Sequence, residues 1–156
     1  MEEIDRAIVA ALTVDGRMSY TDLAEKVGLS VSAAHQRVRR LEQRGVLQGY
    51  AARVDYTALS LPLTAFVAIR PLDPSQADDA PDRLAALPEI EACYSVAGED
   101  HYLLLVRVQG PADLERLLNS IRAAANVATR TTVVLSTPYE GRPPHIDLSP
   151  GAGSSG

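Results

Sequence analysis

Apolar residues recur at helical spacing in three short stretches at the start of the chain. The first stretch carries a single apolar stripe formed by Ile4, Ala7, Ile8, Ala11 and Leu12. This stripe predicts an amphipathic helix that ends near Asp15 and Gly16.

The second stretch begins at Ser19, which is followed by Asp22 in the form of a capping box with Asp in place of Glu. A two-turn helix follows and ends at Gly28. Ser30 is the predicted N-cap of a third helix, whose buried face carries Ala34, Val38 and Leu41. Two helices joined by a tight glycine turn form a helix-turn-helix. The loosely alternating residues 46–54 then predict a short β wing.

The pattern changes in the second half of the chain to short strands alternating with helices. The predicted elements are a strand over 64–70, a short helix from Pro81, strands over 90–97 and 102–108, a helix over 111–125 and a strand over 127–136. The order βαββαβ is that of a ferredoxin-like split βαβ domain, with both helices on one face of an antiparallel sheet. The fold class is therefore α+β.

One face of that sheet has no helix to cover it. Positions such as Phe66, Ala68, Tyr94 and Val96 would be exposed in an isolated subunit. A second copy of the sheet would bury them, and we therefore predict a homodimer.

Composition narrows the functional classes. The chain has 156 residues, and no apolar run approaches the roughly 20 residues that span a bilayer. An acidic N-terminus and a single cysteine, Cys93, which we expect to be a small core residue, favour a cytoplasmic protein without disulfides. No membrane partner is expected.

The net charge of −5 is unevenly distributed. Residues 1–53 carry eight Arg or Lys against seven carboxylates, whereas residues 54–139 carry six against eleven. Opposite the buried face of the third helix, the side chains are polar and long. The residues opposite it are Ser32, Gln36, Arg39 and Gln43, flanked by His35 and Arg40, with Arg37 and Arg44 nearby and Arg53 in the wing. Such a helix could enter the major groove of double-stranded DNA, and it could equally be an ordinary solvated surface.

Several short motifs in this half resemble one protein family. They include Asp15-Gly-Arg-Met-Ser19, Val27-Gly-Leu-Ser30, Arg37-Val-Arg-Arg-Leu41-Glu and Gln48-Gly-Tyr50. Together they are similar to the winged helix-turn-helix of the Lrp/AsnC (leucine-responsive, feast/famine) transcriptional regulators. The resemblance implies a C-terminal domain of the type called RAM, which pairs into homodimers that often assemble further, commonly to octamers. It also implies a small-molecule effector, an amino acid, bound between RAM domains.

A polar loop and a pair of threonines are the candidate effector site. The loop comprises Gly98, Glu99, Asp100 and His101, and the last strand carries Thr129 and Thr131 on one face. The carboxylates could hold an ammonium group, and the hydroxyls could hold a carboxylate. Many family members have a second Asp where this chain has His101, which leaves the ligand open. The alternative is an ordinary hairpin turn beside ordinary strand residues.

These features predict four segments and no catalytic machinery. The segments are a DNA-binding domain over 1–54, a linker over 55–63, a RAM domain over 64–137 and a mobile tail over 138–156. No nucleophile motif, metal-ligand spacing or cofactor motif is present, so we expect a regulator and not an enzyme. Two alternatives stay open: an architectural DNA-binding protein without an effector, and a metabolite-binding or enzymatic ferredoxin-like dimer.

Overall fold

The computed structural model of the chain describes residues 1–149 and divides into two compact units. The first contains residues 1–53 and 139–149 and is called the DNA-binding unit for the helix-turn-helix predicted in it. The second contains Val54–Pro138 and is called the ligand-binding unit for the effector site predicted in it. Residues 138–149 of the predicted tail contain no helix or strand, although they are grouped largely with the first unit. The remainder of the predicted tail, 150–156, lies outside the described residues. No helix within residues 1–149 is long and apolar enough to cross a bilayer.

Three helices form the DNA-binding unit: α1 (Glu3–Val14), α2 (Tyr20–Val27) and α3 (Val31–Gln43). The predicted caps are present, because the Ser19 and Ser30 hydroxyls accept hydrogen bonds from the N–H groups of Asp22 and Ala33. Gly28 ends α2 with a φ of 69°, a left-handed conformation that glycine adopts without strain. The turn between α2 and α3 is therefore fixed at both ends.

The core of the DNA-binding unit consists of the apolar stripes of its helices. Its buried members are Ile8, Ala11, Leu23, Val38 and Leu41. Each large side chain that is fully buried contributes about 1.5–3 kcal/mol to the free energy of unfolding. Burial of this face fixes the opposite face of α3 toward solvent.

The predicted β wing is wrong. Residues 46–54 contain no strand. Gly45 leaves α3 in a left-handed conformation, and the N–H groups of Val46 and Leu47 both donate to the carbonyl of Leu41, at 2.9 and 3.2 Å. The backbone that should have started a strand is therefore used to cap the helix, and no strand among residues 1–149 pairs with this segment.

The ligand-binding unit has the predicted βαββαβ order. Its elements are β1 (Leu63–Pro71), α4 (Ala80–Leu84), β2 (Ile90–Ser95), β3 (Tyr102–Val108), α5 (Pro111–Ala125) and β4 (Val127–Val133). The sheet is antiparallel with strand order β2-β3-β1-β4. The strands β2 and β4 are shorter than predicted, whereas β3 and α5 have the predicted bounds.

The segment predicted as a linker is part of the ligand-binding unit. The ring of Tyr56 lies under the Arg107 guanidinium, 3.7 Å from its carbon to the ring centroid. Arg107 is 7% exposed and donates from Nε to Glu91 at 2.8 Å. Such stacking with a cation stabilises a short turn that has no regular structure.

The two faces of the sheet differ as predicted, with two exceptions. Phe66 and Tyr94 are exposed on the face opposite the helices. Ala68 is buried, because its short side chain lies on the central strand between Leu103 and Arg130. Cys93, expected in the core, is exposed because β2 is an edge strand.

Candidate functional site

The outward face of α3 presents the predicted polar side chains to solvent. Its exposed members are Ser32, His35, Gln36, Arg39 and Arg40, with Arg44 at the C-cap. Within residues 1–149, no hydrogen bond or ion pair engages the side chains of Arg39, Arg40 or Arg44. Three unpaired guanidinium groups at the end of one helix can bind an anionic backbone.

Arg37, one of the predicted DNA contacts, is already paired within the unit. Its Nη1 atom donates to Asp5 and Glu2, each at 2.8 Å. Asp5 is only 4% exposed, and hydrogen bonds to Asp5 and then Glu2 raise the pKa of Arg37. The Arg37 guanidinium therefore ties α3 to α1, and its contact with DNA stays a prediction.

Two of the predicted readout residues contact neighbours that set their position. The His35 ring meets the Tyr20 ring edge-on, with centroids 4.7 Å apart and planes at 67°. The Ser32 and Ser30 hydroxyls lie 3.3 Å apart. Tyr20 is the first residue of α2, so α2 positions a side chain of α3, a contact that sequence spacing did not predict.

Arg53 lies in the segment after α3 and is exposed. Its Nη2 atom donates to the carbonyl oxygen of Glu140 at 3.1 Å. The side chain is therefore held within the DNA-binding unit while its charge is retained.

Loop 96–101 of the ligand-binding unit is closed by backbone hydrogen bonds. The His101 N–H donates to the Ile69 carbonyl at 2.9 Å, and the Val96 N–H donates to the His101 carbonyl at 3.0 Å. Gly98 has a φ of 138°, which side chains rarely adopt. The loop is therefore anchored on β1.

Part of the predicted effector site comes together around a cavity of about 150 Å³. Its lining residues are Arg70, Glu99, Asp100, Ala128, Thr129 and Arg130. Asp100 forms an ion pair with Arg130, and the Thr129 hydroxyl accepts a hydrogen bond from Arg122 at 3.0 Å. The cavity thus combines carboxylates, a hydroxyl and guanidinium groups, which suits a ligand that carries both charges.

The other predicted effector residues lie elsewhere. Thr131 is two residues farther along β4, outside the lining of this cavity. His101 lines two neighbouring cavities, of about 120 and 530 Å³. Beside it, the Tyr102 hydroxyl donates to Asp78 at 2.9 Å, and this hydrogen bond raises the pKa of Tyr102.

Sequence reasoning missed the arginines of this cavity, Arg70 and Arg130. The register places Arg130 opposite Ala68 on β1, one strand away from the loop that carries Asp100. The sequence did contain a signal for Arg130, because this basic residue lies between Thr129 and Thr131 on β4. Among residues 1–149, no cluster of three or more His, Cys, Asp or Glu side chains could hold a metal ion.

Comparison with known proteins identifies both units. Residues 1–42 match the AsnC-type helix-turn-helix domain, and residues 64–144 match the Lrp/AsnC ligand binding domain. The chain is 56% identical over 142 residues to the HTH-type transcriptional regulator LrpA of Mycobacterium tuberculosis, covering 91% of this chain and 95% of that protein. It is 36% identical over 144 residues to the leucine-responsive regulatory protein of Escherichia coli K12, covering 86% and 85%.

Solved structures agree with these matches. A feast or famine regulatory protein from M. tuberculosis, in complex with L-methionine, superposes with a TM-score of 0.91 at 56% identity, covering 94% of this chain and 99% of that chain. LrpC of Bacillus subtilis superposes with a TM-score of 0.79 at 29% identity, covering 88% and 96%. These relatives are transcriptional regulators, in agreement with the prediction that the chain is not an enzyme. The chain belongs to the Lrp/AsnC family of transcriptional regulators.

Proposed function

We propose that α3 binds in the major groove of duplex DNA and recognises a specific operator. The observation that carries this proposal is the exposed face of α3, whose guanidinium groups have no partner among residues 1–149 while the opposite face is fully buried. Arg39, Arg40 and Arg44 supply phosphate or base contacts, and Arg53 supplies a phosphate contact. Ser32, His35 and Gln36 supply the local base readout.

An Arg39→Ala variant tests this placement. It should weaken binding to the operator by about 1–3 kcal/mol, measured by gel shift over a salt series. Arg83→Ala is the matched control, because Arg83 lies on α4 and pairs with Asp79 at 2.9 Å. Unchanged affinity in a folded Arg39→Ala protein would refute the placement of α3 in the groove.

We propose further that the ligand is an amino acid held in the Arg70–Arg130 cavity and closed over by a neighbouring subunit. The complex of the M. tuberculosis relative with L-methionine supports this class of ligand. Glu99 and Asp100 would receive the ammonium group, and Arg130 with Thr129 would receive the carboxylate. Gly98 would keep the loop backbone open to the ligand, and His101 and Thr131 would shape its surroundings.

A thermal-shift screen of the twenty amino acids tests the ligand site. A ligand at 100 times its Kd stabilises the native state by about 2.7 kcal/mol, which raises the Tm. Thr129→Val should remove the shift, and Thr137→Val is the matched control outside the cavity. If no amino acid raises the Tm of the natural chain, the effector proposal fails while the DNA proposal stands.

We propose a homodimer that buries the open face of the sheet. Phe66 is 36% exposed and Tyr94 is 51% exposed on that face, which supports a partner sheet. Light scattering coupled to size-exclusion chromatography should give a dimer or a larger assembly, and Phe66→Asp should dissociate it. A monomer at micromolar concentration would refute the dimer.

An architectural role without an effector is the alternative that the basic face of α3 also supports. Competition between a specific operator and random duplex separates the two, because a regulator prefers its operator by about 10³-fold or more. As a DNA-binding regulator, the protein is proposed to act in the cytoplasm.

A further inference from the structure

After β4, the chain joins the DNA-binding unit a second time. Residues 139–149 are grouped with residues 1–53, although they have no helix or strand. Ile146 is partly buried there, while its neighbours are exposed. We name residues 139–149 the strap.

The strap makes its best-defined contact with Arg53. The Arg53 Nη2 atom donates to the Glu140 carbonyl at 3.1 Å, and the guanidinium lies against Gly141. A Cβ atom on Gly141 would lie 3.5 Å from Nη2 and 3.7 Å from Cζ of Arg53, and the φ of Gly141 is 60°. The backbone at Gly141 is therefore left-handed, and a side chain placed there would be in van der Waals contact with the guanidinium.

A favourable charge interaction lies farther along the strap. Hydrogen bonds from Ser149 lower the pKa of the Asp147 carboxyl, and the charge of Arg6 on α1 lowers it further. The hydrogen bond from Arg53 to the Glu140 carbonyl attaches the strap to the DNA-binding unit, and the charge of Arg6 acts on Asp147 from the same unit.

We propose that the strap positions Arg53 for a phosphate of duplex DNA, an inference that rests on the proposed DNA-binding function. The Glu140 carbonyl occupies one of five N–H donors and leaves the positive charge intact. Arg53 is exposed, so its remaining donors can reach a ligand. An arginine that is already ordered loses less conformational entropy when it binds, which strengthens binding.

Trypsin tests the contact without DNA, because the protease must take the Arg53 side chain into its own pocket. The compared chains are the full chain and one that ends at Pro138. Cleavage after Arg53, normalised to cleavage after Arg44, should be several-fold faster in the shortened chain. Equal rates would overturn the contact.

Two substitutions at one residue provide a matched pair that keeps the strap in place. Gly141→Val strains a left-handed backbone and should also speed cleavage after Arg53. Gly141→Asn tolerates that conformation and should leave the rate near that of the full chain. Equal rates in the two variants would show that the backbone conformation of Gly141 does not hold Arg53.

Operator affinity tests the positioning role. The shortened chain should bind about three- to tenfold more weakly than the full chain. In an Arg53→Ala background, the same shortening should have no further effect. If shortening the Arg53→Ala chain causes an equal loss of affinity, the proposed role of Arg53 is overturned. If the full chain binds no duplex at all, the proposed DNA-binding function is overturned. In that case the trypsin result alone decides whether the strap holds Arg53.

Discussion

The two units use their arginines in opposite ways. In the ligand-binding unit, Arg83, Arg107, Arg122 and Arg130 each donate to a carboxylate or hydroxyl of the same unit. On α3, the side chains of Arg39, Arg40 and Arg44 have no such partner within residues 1–149. The arginines of α3 can therefore meet an external anion without giving up an internal contact, whereas an anion at Arg130 competes with Asp100.

Among the arginines of α3, Arg37 is the exception, and its substitution should give the largest effect. Arg37→Ala should lower the free energy of unfolding by about 3 kcal/mol, because it leaves the buried Asp5 carboxylate without its cation. Urea denaturation measures this loss. Replacing both Asp5 and Arg37 with Leu should restore most of the lost stability. If Arg37→Ala and Arg39→Ala have equally small effects on the free energy of unfolding, the distinction between paired and unpaired arginines is wrong.

Arg40 should behave in the opposite way. Arg40→Ala should change the free energy of unfolding by less than about 0.5 kcal/mol, because the side chain is exposed. It should reduce the slope of log affinity against log salt by about 1, since one phosphate contact is lost. Fluorescence anisotropy with labelled operator over a salt series measures the slope, and Arg116→Ala in the ligand-binding unit should leave it unchanged.

Tyr50 gives the smallest expected effect. Burial, and then a hydrogen bond to Glu42 at 3.0 Å, raises the pKa of Tyr50 to about 12. The folded state keeps the phenol proton at a pH where the unfolded state releases it, so this contribution to stability falls as the pH rises from about 10 to 12. Because Tyr50 is 50% exposed, the change should stay below about 1 kcal/mol.

Denaturation at several pH values between 9 and 12 checks this expectation. Tyr50→Phe should flatten that part of the pH dependence, and Tyr139→Phe serves as a control for losing a phenol elsewhere. A slope that Tyr50→Phe does not alter would assign the alkaline loss of stability to other groups.

Local patterns predicted the helices well because each signal lies within the element itself. The spacing of Ala34, Val38 and Leu41 gave the buried face of α3, and the serine caps fixed where α2 and α3 begin. The prediction of a β wing was wrong because a strand needs a pairing partner, which the local sequence does not contain. Gly45 instead turns the chain back onto the end of α3.

The candidate sites depended on distances between elements, and these were less predictable. A helical wheel gives the direction of Arg37 but not its distance to Asp5 on α1. A signal was present, because Asp5 lies three residues before Ile8 and seven before Leu12, on an apolar face where a lone carboxylate needs a cation. In the ligand-binding unit, Arg130 reaches Asp100 across β1, a pairing that requires the strand order.

The irregular pairing of β2 limits the addition of another strand at one edge of the sheet. A register shift between Ile90 and Ala92 interrupts the row of backbone donors and acceptors along this edge strand. An incoming strand would find no continuous ladder there, so open-ended growth into fibrils is blocked at that edge. The sheet can thus keep an open apolar face while its β2 edge is protected against the addition of further strands.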